Sequence, residues 1–425
     1  SKKLTTNLAA DNGPVYSPDG KYLAYRAQSR PGYESDRWRL VLLERATGKL
    51  NILTESLDRS VGSIVWSPDS KRVFFVSEDR GRHQLQMMPA AGGGQRIIVN
   101  GAVSVDDVQF SKDSKILIYT EQSGKAPAEI MKASSSGGPP QALTHLNDAV
   151  LADAGLQPLE EISVEGAEGA KVAAFVVKPP QFAADRKYPV LFLIHGGPQG
   201  AWGETWSYRW NPQVFAAAGY VVVMPNPRGS TGYGQKFTDE INADWGGRAF
   251  DDILAVVDHV AKQPWADPGR FAAAGGSYGG YMVNWLLGHT DKFRAFVSHA
   301  GVFDLRSMAG ETEELWFPLW EFKGMPWQNP ELYAKWSPSY FVDNFKTPTL
   351  VIHGEIDYRV PVGQGMQLFT SLQMQKVPSK LLLFPDEGHW VLKPLNSVLW
   401  YNSFLDWIGE WTKPAPPAAG GTDAK

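Results

Sequence analysis

Short β-rich apolar runs recur through the first third of the chain, each entered from the same polar turn. Tyr16-Ser17-Pro18-Asp19-Gly20, Trp66-Ser67-Pro68-Asp69-Ser70 and Phe110-Ser111-Lys112-Asp113-Ser114 are versions of one motif. A basic residue and then Tyr22-Leu23-Ala24-Tyr25, Val73-Phe74-Phe75-Val76 or Ile116-Leu117-Ile118-Tyr119 follow them. A second marker precedes each turn and closes the series: Leu4-Thr5, Leu53-Thr54, Ile98-Val99 and Leu143-Thr144, in steps of 49, 45 and 45 residues. A period near 45 with aromatic-Ser-Pro-Asp turns between short strands predicts propeller blades of four strands each. Three complete periods fit, whereas propellers close with about four to eight blades. Ser1 also falls inside a repeat. The expectation is therefore part of an all-β propeller over 1–150, about three blades, with N-terminal blades missing.

From about Gly155 the rhythm changes. Apolar runs of buried-strand length occur at 190–194, 220–224, 271–274, 295–297, 349–352 and 380–384, preceded by a strand pattern at 170–179. Helical spacing appears between them at 251–261, 278–287, 363–372 and 396–411. Alternation of strand and helix predicts a doubly wound, mostly parallel sheet over 151–413. Ligand sites in such sheets form at the carboxyl ends of the strands.

Four segments with chemical content fall at those ends. Gly275-Gly276-Ser277-Tyr278-Gly279 joins a strand pattern to a helix pattern, the setting a nucleophile elbow requires. The glycines permit a sharp turn, and the helix N-terminus favours developing negative charge near the serine. His195-Gly196-Gly197-Pro198 follows an early strand; its Gly197 N–H, with the Tyr278 N–H, suits an oxyanion hole. His353-Gly354-Glu355-Ile356-Asp357 follows a later strand and offers Asp357 as the carboxylate that orients an imidazole, with Glu355 as the competitor. Asp386-Glu387-Gly388-His389 follows the last strand, and Ser277, Asp357, His389 is the Ser…Asp…His chain order of an α/β-hydrolase. The chain has eight histidines, and His389 is selected by that order.

Composition narrows the reading. The chain has 425 residues, enough for two domains, with 43% hydrophobic and 20% charged residues. A net charge of −4 without a basic cluster argues against nucleic acid and anionic membrane as partners. Cysteine is absent, which removes disulfide and thiol chemistry and leaves the compartment open: cytoplasmic, or periplasmic or secreted after removal of a signal. Sixteen tryptophans are many for this length, and those concentrated in 200–330 suit an aromatic core or pocket. The tail, 414–425, rich in Pro, Ala and Gly, is expected to be disordered.

Together His195-Gly196-Gly197-Pro198, Asn226-Pro227-Arg228-Gly229-Ser230, Gly275 to Tyr281, His353 to Pro361 and Asp386 to His389 resemble the prolyl oligopeptidase family of serine peptidases. Gly276 before the serine and the His-Gly-Gly-Pro loop resemble its acylaminoacyl-peptidase and dipeptidyl-peptidase-5-like branch. The resemblance implies an α/β-hydrolase domain behind a propeller and hydrolysis of short peptides through an acyl-enzyme. Neither metal nor organic cofactor is implied. It also implies an S1 pocket drawing on Tyr278, Val302, Phe303, Val360, Trp316 and Phe317, apolar enough for a hydrophobic or small P1 residue; Arg359, two residues after Asp357, is a candidate to pair with a carboxylate or to grip a substrate carbonyl. An exopeptidase, dipeptidyl or acylaminoacyl, is the leading expectation. An α/β-hydrolase esterase and an inactive peptide-binding scaffold are the alternatives. A monomer and a homo-oligomer both remain open.

Overall fold

Three four-stranded antiparallel units come first in the computed structural model, which describes residues 3–413; the tail read as disordered lies outside them. The first unit is β1 (Asp11–Tyr16), β2 (Tyr22–Ala27), β3 (Arg39–Glu44) and β4 (Leu50–Ile52). The second is β5 (Val61–Trp66), β6 (Arg72–Asp79), β7 (Arg82–Pro89) and β8 (Arg96–Val99). The third is β9 (Ser104–Phe110), β10 (Ile116–Ser123), β11 (Ala126–Ser134) and β12 (Gln141–Ala142). One parallel bridge, His83 to Ser104, joins the second unit to the third. Blade-to-blade packing is apolar. Leu40, Leu42, Trp66 and Phe75 form one inter-blade cluster, and Phe74, Leu85, Leu117 and Tyr119 form the next. The outward face of the third unit leaves Ile116, Ile118 and Ile130 about 40% exposed.

The repeated turn has one physical cause in all three copies. Ser17, Ser67 and Ser111 each donate from Oγ to the aspartate two residues on, at 2.7, 2.6 and 2.6 Å. Each hydroxyl also accepts the N–H of the first residue of the next strand. The aspartate accepts a further N–H from Lys21, Lys71 or Lys115. These donors hold the Asp19, Asp69 and Asp113 carboxyls below the usual range. The residue after each aspartate is left-handed: Gly20 at φ 72°, Ser70 at 61° and Ser114 at 65°.

The α/β segment carries one eight-stranded sheet. In chain order its strands are β13 (Glu160–Glu165), β14 (Lys171–Val177), β15 (Tyr188–Ile194), β16 (Val221–Asn226), β17 (Ala266–Gly276), β18 (Ala295–His299), β19 (Thr349–Gly354) and β20 (Ser379–Phe384). Their spatial order is β13-β14-β16-β15-β17-β18-β19-β20. The first two pairings, β13 with β14 and β14 with β16, are antiparallel; the rest are parallel. Alternate residues feed two cores. Phe192, Val223 and Val351 pack under the helices Arg248–Ala261, Tyr278–His289 and Gly363–Met374. Leu193, Val222, Val297 and Ile352 pack under Pro212–Ala217 and Pro394–Thr412. This is the doubly wound, mostly parallel sheet expected from the alternation. No described helix is long and apolar enough to cross a membrane.

The two segments dock through hairpin tips and ion pairs. Between β6 and β7, Gly81 stands so close to the loop at Trp202 and Gly203 that a Cβ there would lie 2.6 Å from the Trp202 carbonyl oxygen. The Glu204 N–H donates to Gly81 O at 2.7 Å. Arg80 and Arg82 reach the two oxygens of Glu161, and Arg30 pairs with Asp36 and Asp239 at 2.7 Å each. Tyr33, from the loop between β2 and β3, stacks on Trp320 with ring centroids 4.4 Å apart.

Candidate active site

Strand β17 lies centrally, and its last residues set the position of Ser277. Gly276 is in register with His299 on β18, and the Ser277 N–H donates to the His299 carbonyl at 3.0 Å. The chain then reverses into the helix Tyr278–His289, with Ser277 at φ 59° and ψ −120°. A side chain held at that φ costs about 1–3 kcal/mol and persists only where the surroundings impose it. They do so through glycine contacts. A Cβ on Gly279 would run into the Ile194 carbonyl, and one on Gly280 would lie 2.6 Å from the Gly301 Cα. Helix and sheet are thereby pressed together, and the Ser277 hydroxyl is pushed out at the strand end.

Asp357 lies in the loop after β19. Its Oδ1 accepts the N–H groups of Arg359 and Val360, both at 2.9 Å. Its Oδ2 lies 2.8 Å from Nδ1 of His389, and its side chain is fully buried. Glu355, the competing carboxylate, is exposed and makes no side-chain hydrogen bond among the described residues. With Nδ1 tied to Asp357, the other ring nitrogen of His389 is left for the cavity that Ser277 also lines. Among the described residues the Ser277 hydroxyl makes no hydrogen bond, a common state of such pairs before substrate arrives.

Three more histidines surround this group and each has a structural partner. His195 Nε2 meets the Ser230 hydroxyl at 2.9 Å, His299 Nδ1 accepts from Trp400 Nε1 at 3.0 Å, and His353 Nε2 meets the Val360 carbonyl at 2.8 Å. Burial pushes His195 down to about 4 and His299 to about 3, and it lowers His353 as well, so all three stay neutral at neutral pH.

The glycine loop lies directly against Ser277. A Cβ on Gly196 would stand 3.3 Å from that of Ser277. The Gly197 and Tyr278 N–H groups donate to no described acceptor, which leaves both for a ligand oxygen. The loop is braced by the Asn226–Ser230 turn behind it. There Arg228, 2% exposed, forms a two-pronged pair with the buried Asp252 at 2.9 and 2.7 Å. The Tyr278 ring points inward, its hydroxyl donating to the Trp245 carbonyl at 2.8 Å.

A cavity of about 330 Å³ opens in front of Ser277. Of the residues expected in the S1 pocket, it is lined by Tyr278, Val302, Trp316, Phe317 and Val360; Arg359 lines it too, paired with Glu314 at 2.9 Å. Phe303 does not line it. That ring packs against Phe345 in the core, because the chain turns inward after Val302 and Gln364 caps the Phe303 N–H at 2.9 Å. The sequence reading missed Glu34, Gln199, Trp245, Met308, Glu314 and Trp390, which complete the wall. The density of tryptophan in 200–330 touched Trp245, and Gln199 and Trp390 directly follow the Gly197 and His389 motifs. Glu34 comes from the repeat segment, and no local pattern points to it.

Behind this wall sits Glu321, 3% exposed. Its two oxygens accept from Gln199 Nε2 at 2.7 Å and Trp245 Nε1 at 3.1 Å. Burial raises its pKa to about 7, only partly offset by those two donors.

Comparison with known proteins settles the kinship. Residues 206–415 match the model of the prolyl oligopeptidase family. The chain is 38% identical over 411 residues to dipeptidyl-peptidase 5 of Porphyromonas gingivalis. It is 40% identical over 422 residues to dipeptidyl-peptidase 5 of Schizosaccharomyces pombe. The chain belongs to the prolyl oligopeptidase family. Those alignments take in 96% and 97% of the chain but 60% of each relative, so the chain spans less than two thirds of the length of these family members. Among solved structures of the family, the acylaminoacyl peptidase of Pyrococcus horikoshii superposes with a TM-score of 0.83 at 25% identity, covering 94% of this chain and 63% of that one.

Proposed function

We propose that this chain carries the catalytic centre of a serine exopeptidase that releases dipeptides from the amino end of short peptides. The observation that carries the reading is the buried Asp357 bound to His389 Nδ1, on a cavity shared by His389 and the unpartnered Ser277 hydroxyl. In this mechanism His389 takes the Ser277 proton as Oγ attacks the scissile carbonyl carbon, and Asp357 stabilises the imidazolium. The Gly197 and Tyr278 N–H groups receive the oxyanion. The carbon–nitrogen bond then breaks, His389 delivers its proton to the leaving amine, and water later releases the acyl group from Ser277.

Val302, Phe317, Trp316 and Val360 favour a hydrophobic or small P1 side chain. Exopeptidase action is supported by the relatives' names, and release of a dipeptide with a free amino end by the Glu34 carboxylate at the cavity. No partner beyond short peptides is proposed. The test is a panel of chromogenic substrates sharing one P1 residue: a free-amine dipeptidyl amide, an N-acyl aminoacyl amide, an internal peptide amide and a simple acyl ester. The reading expects fastest cleavage of the first, abolished in Ser277→Ala. Faster cleavage of the N-acyl substrate would move the assignment to acylaminoacyl release, and cleavage of the ester alone would make the protein an esterase.

A further inference from the structure

Ser277 and His389 face a second cavity, of about 290 Å³, on the other side of the nucleophile. The first cavity holds Gly197 and Tyr278, whose N–H groups suit the oxyanion, and the oxyanion belongs to the acyl half of the substrate. The acyl half therefore occupies the first cavity. The second is left for what departs, and His389, which must hand a proton to the leaving amine, borders it. Its walls are Trp202, Trp210 and Trp390, with Ser207 and Arg209.

The two cavities differ in charge. Trp390 separates them, with the Arg359 guanidinium over its ring at 4.9 Å and that of Arg209 at 5.6 Å. Arg359 is neutralised by Glu314 at 2.9 Å, on the side where Glu34 also stands. Among the described residues Arg209 has no carboxylate within 4.0 Å, and its guanidinium makes no hydrogen bond; its backbone N–H goes to Ser207 at 3.1 Å. Burial lowers its pKa, with the Tyr401 hydroxyl the sole group acting the other way. Arginine stays charged in such surroundings, so the cavity holds an uncompensated cation. Carboxylates on the acyl side and a bare guanidinium on the other match the polarity of a free peptide lying from amino to carboxyl end across Ser277.

We infer that Arg209 forms a leaving-group subsite that receives the carboxylate of a short peptide's carboxyl-terminal segment. The inference rests on the peptidase reading and names the second half of the substrate: tripeptides and tetrapeptides with a free carboxyl end. No bond to Arg209 forms or breaks. It makes a charge-assisted hydrogen bond with the segment that departs as a free amine.

The experiment compares two peptides of one sequence, ending in a free carboxylate or in a carboxamide, with an arylamide of the same dipeptide as third substrate. Wild-type protein is expected to show kcat/KM about tenfold higher for the carboxylate peptide, the size of one charge-assisted contact. Arg209→Met is expected to bring that ratio to near one, and Arg209→Lys to keep part of it. Fluorophosphonate labelling of Ser277 shows that each variant is folded. Equal rates on the two peptides in the wild type, a measurement that needs no variant, would overturn the subsite. So would a preference that survives Arg209→Met. Absence of Ser277-dependent arylamide cleavage would instead overturn the peptidase reading, and the subsite with it.

Discussion

Ser17, Ser67, Ser111 and Ser277 all sit in tight turns of this chain, and they are used in opposite ways. Ser17, Ser67 and Ser111 each donate to an aspartate and accept a strand N–H, so the hydroxyl closes the turn. Ser277 is itself left-handed, at φ 59°, yet its hydroxyl closes nothing among the described residues; strand pairing and glycine contacts hold the turn. In the repeats the side chain serves the backbone. At the elbow the backbone serves the side chain, and a hydroxyl free of structural duty is what a nucleophile needs.

Breaking that contrast should give effects in a definite order. Asp357→Asn leaves the loop intact but presents the wrong hydrogen-bonding group to His389, so kcat on a dipeptidyl arylamide should fall about 10³–10⁴-fold with little change in thermal unfolding. Gly279→Ala forces a Cβ against the Ile194 carbonyl; a loss of about 3 kcal/mol or more in denaturant unfolding is expected, together with loss of Ser277 labelling.

Glu321→Gln comes next. An amide nitrogen cannot accept from Gln199 or Trp245, so one buried donor is left facing a donor, at a cost of about 1–3 kcal/mol near pH 5. The carboxyl itself adds a pH slope. Its pKa is raised from 4.5 to about 7 on folding. Its stabilising contribution is therefore full below about 4.5 and lost as pH rises through about 7. Melting temperatures of the two proteins should differ most near pH 5 and converge towards pH 8.

Ser67→Ala tests the repeat side of the contrast. It should cost about 1 kcal/mol while kcat is unchanged, whereas Ser277→Ala should abolish turnover without destabilising the fold. Smallest of all, Ser114→Gly relieves a left-handed residue at φ 65° and should stabilise by up to about 1 kcal/mol, read as a higher melting temperature.

The same contrast explains what the sequence disclosed. The repeats were legible because each turn is closed by residues within a few positions of one another. The strands and helices around Ser277, Asp357 and His389 were legible from alternation and chain order. What stayed hidden depends on distant segments meeting. Glu34 reaches the cavity from a repeat loop, Trp390 takes its place between Arg209 and Arg359, and Glu321 matters through Gln199 and Trp245, 122 and 76 residues away. Phe303 was misplaced for the same reason: neighbouring positions share a pattern, yet Val302 faces the cavity and Phe303 the core.

The account depends on Ser277 carrying the acyl group. Rapid quenching of the protein during turnover of a dipeptidyl ester, followed by intact-mass and peptide mapping, tests this directly. A transient adduct with the mass of the dipeptidyl group, located on Ser277 and lost in Ser277→Ala, is predicted. Turnover with no adduct, or an adduct that persists in Ser277→Ala, would contradict it.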